Sequence, residues 1–349
     1  MAQILLIGVG AGVASALLSA SVASGSLISL VLTAFAQLPI LIAAIGWTSL
    51  AGLIAVLVAS AAVGFIFGAL SGFMFVISVA LPAWWIGYLV LLARPAESAE
   101  PGTLEWYPVG RIVVWSAIVS AAVVAVWLVR YGADLASVRT ALRREIDLFF
   151  RLLVALRISS LSDAERTREA LVLIVPGMKA VGFTLISLLN VWLAALIVKV
   201  SGRLRRPWPK IAQMTFPPFA PAALATAAGA IFLPELLGLI GSIFTASLLL
   251  AYALLGFAMV HFVTLGIAGR GAMLTGLYFT AVVFSWPVLL VMCVLGLIET
   301  MLSLRARVAA SRPPPRLNQF FLKSTPCKER RDQDGSDPAA TCRQARPDG

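Results

Sequence analysis

Long apolar runs separated by short polar breaks organise the chain. Runs near 3–23, 27–46, 49–69, 72–93, 111–130, 176–200, 214–234, 238–266 and 272–298 each reach about the 20 residues that cross a bilayer as a helix. Strands of a membrane barrel alternate apolar and polar positions, and these runs do not, so the pattern predicts helices. The polar steps at Ser24–Ser26 and Ser71–Gly72 predict tight hairpins between antiparallel neighbours. The 214–234 run is irregular, with Pro217, Pro218 and Pro221 at its start and Pro234 at its end. It reads either as a full span with an irregular start or as a half-helix that dips in and returns. The expected count is therefore eight or nine transmembrane helices.

Residues 131–170 follow a different pattern. Leu135, Val138, Leu142, Ile146, Phe149, Leu153 and Leu156 step by three or four, which marks one apolar stripe on a helix. Arg139, Arg143, Asp147 and Arg151 form a neighbouring row. Such a basic amphipathic helix is expected in the headgroup plane, stripe inward, as a connector or as a docking surface for a protein partner.

Composition narrows the class. The chain is 60% hydrophobic and 12% charged, against about 25% charged in a soluble domain. No charged side chain precedes Arg94. A soluble surface needs charge, so the fold class is all-α integral membrane, a polytopic helix bundle. The expected organisation is an uncharged four-helix bundle over 1–93, a loop and fifth span over 94–130, the amphipathic region over 131–170, a second membrane bundle over 171–308, and a disordered tail over 309–349. That tail is rich in proline and mixed charge, without a sustained apolar pattern.

The N-terminal glycines fit packing better than chemistry. "ILLIGVGAGVAS" has the start of a dinucleotide-binding turn, but Val13 stands where glycine or alanine is needed. The acidic residue that would hold a ribose is also missing. No positive residue precedes the 3–23 run, so it reads as a retained helix rather than a signal segment. Gly8, Gly12, Ala16, Ala20 and Ser24 instead form a small-residue ridge at spacing four, and Gly64, Gly68 and Gly72 repeat it. Such ridges let helix backbones approach closely in lipid. Pro39 and Pro82 are expected kink points.

Lys and Arg positions set the expected sidedness. Nine spans with a cytoplasmic C-terminus place the 131–170 loop in the cytoplasm and the basic 202–210 loop outside. Eight spans reverse both loops. The nine-span arrangement is the preferred expectation, and a cytoplasmic C-terminus holds in both.

Ionisable and polar groups inside the runs are the places to seek function. Asn190 lies mid-run between Lys179 and Lys199, and predicts either a bond between helices or a ligand contact. His261, the single histidine, lies near the end of its run with Arg270 beyond it. It predicts either a neutral, packed imidazole or a ligand contact. Glu299 and Arg305 close the last run. These five residues, Asn190, His261, Arg270, Glu299 and Arg305, are the candidate ligand or helix–helix contacts. One histidine cannot form a metalloprotease motif, no phosphate-loop motif is present, and three scattered cysteines give neither a metal spacing nor a disulfide framework. No enzyme activity, catalytic residue, cofactor, metal or nucleic-acid partner is expected. The lipid bilayer is the expected partner, with a small-molecule ligand and a protein partner at 131–170 as further expectations.

"GFAMVHFVTLGIAGRG" (256–271) followed by "LGLIETMLSLR" (295–305) resembles the C-terminal signature of the YybS-like family of polytopic bacterial membrane proteins. "PGMKAVGFTLISLLNVWLAALIVKVSGRLRRP" (176–207) is similar to the preceding family segment. Glu299 stands where that family more often has aspartate. The resemblance covers roughly 1–308 and implies a multi-pass protein of the bacterial cytoplasmic membrane. It also implies a distant similarity to the substrate-binding S components of energy-coupling-factor transporters and to a membrane subunit of the rod-shape machinery. Two functions follow as expectations: a small-molecule transport or binding component, and a structural or scaffolding protein of the cell envelope.

Overall fold

The computed structural model describes residues 1–96, 104–132, 134–155, 164–305 and 307, and the 309–349 tail lies outside them. Residues Met1–Arg305 form one compact unit. Among the described residues, eight stretches are long and apolar enough to cross a membrane: Ala2–Ser24, Ile28–Gly46, Ser49–Phe67, Ala69–Leu91, Val109–Val129, Glu169–Val200, Glu235–Val263 and Ser285–Leu302. The chain is thus an all-α, multi-pass membrane protein.

Helix α1 (Ala2–Ala20) descends beside α4 (Ser49–Phe67), and the return is split into α2 (Leu27–Ala34) and α3 (Leu38–Gly46). The predicted ridge forms the α1–α4 contact. A Cβ on Gly8 would lie 2.7 Å from Ile54, and one on Gly12 2.8 Å from the Ala55 carbonyl, so only glycine permits this approach. The α2–α3 break precedes Pro39, which has no N–H to give and sits in the first turn of α3. A second interrupted pass joins α5 (Ala69–Phe75) to α6 (Leu81–Leu91) through a π-helical turn at Val76–Ala80, just before Pro82. Both prolines therefore fall where regular α-helix stops.

A two-stranded antiparallel hairpin, β1 (Ala93–Pro95) and β2 (Leu104–Trp106), caps one end of the bundle. From it α7 (Val109–Val129) leads to the opposite end, where α8 (Leu135–Ala155) is the amphipathic helix. Its stripe faces the bundle: Val138, Leu142 and Ile146 are buried with Ala121, Val124 and Leu128 of α7. Arg139, Arg143 and Arg151 stay exposed. Helix α9 (Ala164–Val200) returns to the hairpin end, where Val198 meets Gly46 and Arg203 lies over Trp47.

The C-terminal third resolves the open reading of 214–234 and departs from the preferred expectation at two further points. First, the 214–234 run passes through the bundle. A proline-rich stretch starts at the hairpin end, where Thr215 touches Gly110 and Phe219 meets Trp115. Helix α10 (Ala220–Ala230) then ends against Gly241 near the start of α11 (Glu235–Val263). Leu239 and Ile243 of α11 share a core with Leu142 of α8, which fixes that start at the α8 end. Eleven residues of helix cover only about 16 Å, and the non-helical residues 214–219 and 231–234 flank it at the two ends.

Second, 272–298 is not one span. It breaks at Phe284 into α12 (Arg270–Val283) and α13 (Ser285–Leu302). Pro287 disfavours helix at the residue before it and lacks an N–H, so it suits a first helical turn and not a helix interior. Helix α12 runs back along α11, with Arg270 beside His261 and Tyr278 stacked on Phe257. Helix α13 then returns to the hairpin end, and Gly256 and Gly296 bring the α11 and α13 backbones into direct contact.

Third, the sidedness changes. Arg305 at the end of α13 bonds to the Ala212 and Met214 carbonyls, so the C-terminal end of this unit and the 202–214 segment lie at one end of the bundle. Helix α8 lies at the other. The nine-span arrangement, with 131–170 and the C-terminus on one side and 202–210 opposite, is overturned. Splitting the 272–298 run adds one pass to the nine runs and so changes their parity, and the two loops stand as the eight-span alternative has them. The boundary expected near 93 is also no break in packing, since Ile112, Ala194 and Val198 share a core with the first four passes.

Candidate functional site

A hollow of about 740 Å³ lies at the α8 end. Helices α1, α2, α4, α5, α7 and α9 wall it, together with the π-helical turn that contributes Ser78 and Val79. Its walls are mainly apolar, with Phe67, Phe75, Trp127 and Phe183 among them, and the hydroxyls of Ser19, Thr33, Ser71 and Ser78 are spaced around it. Gly182 of α9 lines it and has nothing within 4 Å of where a Cβ would stand. The cavity therefore reaches the α9 backbone at that point.

Charge is confined to one polar group at the mouth. Lys179 of α9 donates to Glu145 of α8, and the Tyr131 hydroxyl donates to the other oxygen of the same carboxylate. Arg130 lines the same rim. Burial alone would raise the Glu145 carboxyl, but the hydrogen bonds from Lys179 and Tyr131 and the lysine charge together hold it below its ordinary range. Tyr131 is pushed up to about 12, by burial first and then by its bond to the Glu145 carboxylate. The network joins α8, α9 and the turn after α7, so α8 is fastened over the cavity by one carboxylate as well as by its apolar stripe. An apolar chamber with a few placed hydroxyls and a charged rim is the usual form of a small-molecule site.

None of the five candidate residues read from sequence lines this cavity. Asn190 is buried one turn beyond Ile186, and its amide donates to the carbonyls of Ile186, at 2.8 Å, and of Ala34, at 2.9 Å. Ala34 ends α2, so Asn190 satisfies a backbone carbonyl freed by the α2–α3 break. Ser15 does the same for Ala36 at 2.6 Å. In lipid such carbonyls have no water to turn to.

The other four gather at the hairpin end, in two pairs. Glu299 and Arg305 form an ion pair at 3.2 Å with both side chains nearly buried. Ser303, at φ 48°, turns the chain so that the Arg305 N–H donates back to Glu299 at 3.1 Å. The Arg305 guanidinium donates to the Met214 carbonyl at 2.6 Å and to Ala212 at 3.1 Å. Burial lowers its pKa and the Glu299 charge opposes that shift. The pair is a clasp that holds the 211–214 segment. His261 and Arg270 lie together, 3.5 Å apart, at a separate hollow.

Tyr131 and Glu145 were missed from sequence, and Lys179 reads there only as a helix-end lysine. One signal was present: Glu145 is an acid beside the stripe residues Leu142 and Ile146. Only the fold shows that it meets Lys179, 34 positions away. Comparison with protein-family models, curated proteins and solved structures finds no match for the chain.

Proposed function

We propose that the protein is a small-molecule binding or transport component of the bacterial cytoplasmic membrane. The observation that carries this reading is the cavity of about 740 Å³ at the α8 end, within the roughly 300–1,000 Å³ range of small-ligand sites. The resemblance to the YybS-like family, and through it to transporter S components, points the same way. With no phosphate-loop motif in the sequence, the energy for uptake comes from a partner. A cytoplasmic C-terminus puts the hairpin end, with Arg203, Arg205, Arg206 and Lys210, inside. The cavity then faces outward, as an uptake component requires.

Gly182→Phe projects a ring into the cavity from a wall position where a Cβ meets nothing within 4 Å. A thermal-stability screen of small metabolites against the purified protein is expected to give compounds that raise the unfolding temperature of wild type and leave Gly182→Phe unmoved. Equal shifts in both proteins would refute the assignment of this cavity.

The scaffolding function has one observation in its favour, the exposed Arg139, Arg143, Arg144 and Arg151 surface of α8. Recovery of a stoichiometric envelope protein that is lost when these arginines become glutamine would favour it.

A further inference from the structure

The hairpin end holds a second hollow of about 320 Å³, between the 209–213 segment and the last turn of α11. Lys210, Gln213, His261 and Arg270 are its polar lining, and no carboxylate lines it among the described residues. The Arg270 guanidinium has a base as its neighbour: Nη2 donates to Nδ1 of His261 at 3.5 Å. Its Nε is buried and has no hydrogen-bond partner among the described residues. An arginine keeps its proton, so Nδ1 of His261 is the acceptor. Nε2–H then donates to the Tyr278 hydroxyl at 2.8 Å. The imidazole is neutral in this arrangement, and both its nitrogens are committed. Two cations, Lys210 and Arg270, therefore line the hollow with no counter-charge among the described residues. Glu299 and Glu105, the described carboxylates of the same end, are engaged by Arg305 and Arg94.

A buried guanidinium N–H without an acceptor is costly, and a bound anion removes that cost. Arginine offers a planar fork suited to phosphate oxygens, and lysine a mobile point charge. We propose that this hollow binds a phosphate-type anion, held by Arg270 and Lys210. Phe262 and Leu265 form its apolar side, and α11 leaves the membrane-spanning segment at Val263. The site thus lies at headgroup depth, and the phosphate is supplied either by an anionic lipid or as a free ion.

The protein in mild detergent is titrated separately with short-chain phosphatidylglycerol and with inorganic phosphate, read by native mass spectrometry and by unfolding temperature. Wild type is expected to bind one of the two, and Arg270→Gln to bind it about tenfold more weakly. Lys210→Gln, at an exposed position, is expected to weaken the same probe while the probe-free unfolding temperature stays unchanged. Retention of phosphatidylglycerol against excess phosphate assigns the headgroup, and displacement by phosphate assigns the free ion. Equal binding by wild type and both variants, or no binding of either probe by wild type, overturns the proposal. Gly182→Phe, at the opposite end, is expected to leave this binding intact, so failure here is separable from failure of the cavity assignment.

Discussion

Asn190 shows how a polar residue in a membrane span can be structural. Its amide closes a carbonyl that the α2–α3 break leaves open, on a helix far away in sequence. Asn190→Leu is expected to lower stability in detergent by roughly 0.6–2 kcal/mol and to leave ligand-induced stabilisation of the cavity intact. Unchanged stability would remove the carbonyl-closing role. Sequence alone placed Asn190 at mid-span but could not choose between glue and ligand, because the choice depends on where the neighbouring chain breaks. Glu299 and Arg305 carry the same lesson. Their spacing in "LGLIETMLSLR" marks a motif, yet what they hold is the backbone of 212–214, some 90 positions earlier. Glu145 was illegible because one acid among arginines reads as surface charge until its partner on α9 is known.

At the level of elements, periodicity was a sound guide and proline a better one. The stripe Val138, Leu142 and Ile146 predicted both a helix and its buried face, and it packs on the bundle rather than resting on headgroups. The 272–298 run failed because hydropathy is blind to a break between two apolar helices, and Pro287 was the available signal. The attachment of α8 has a pH dependence whose sign follows from its carboxylate. Glu145 titrates below its ordinary value of 4.5, so its contribution is complete above that value and is lost as pH falls through the depressed one. Tyr131 is raised from 10.0 to about 12, so its contribution is complete below pH 10.0 and is lost as pH rises toward 12. Thermal stability is therefore expected to form a plateau between these limits and to fall on the acid side. In Glu145→Gln the acid-side fall should shrink and the plateau should drop. A variant with an unaltered acid limb would show that Glu145 does not fasten α8.

At the scale of the whole molecule, the membrane class is written in composition, since 93 residues without charge admit nothing else. Sidedness is not, because the apolar runs leave open whether 214–234 crosses and hide the break between α12 and α13 that adds a pass. Single cysteines at Arg139 and Arg205, in a background without Cys293, Cys327 and Cys342, are expected to react with an impermeant thiol reagent from opposite sides of the membrane. With the C-terminus in the cytoplasm, position 139 labels in intact cells and position 205 only after lysis. Labelling of both from the same side would contradict the placement of the two ends. The cavity at the α8 end is the feature on which the binding function depends. Native mass spectrometry of the full chain, released from its membrane in mild detergent, tests that directly. Wild type is expected to carry a discrete small-molecule mass that is lost from Gly182→Phe, while both proteins remain folded. The same bound mass in wild type and variant, with the variant folded, would contradict it.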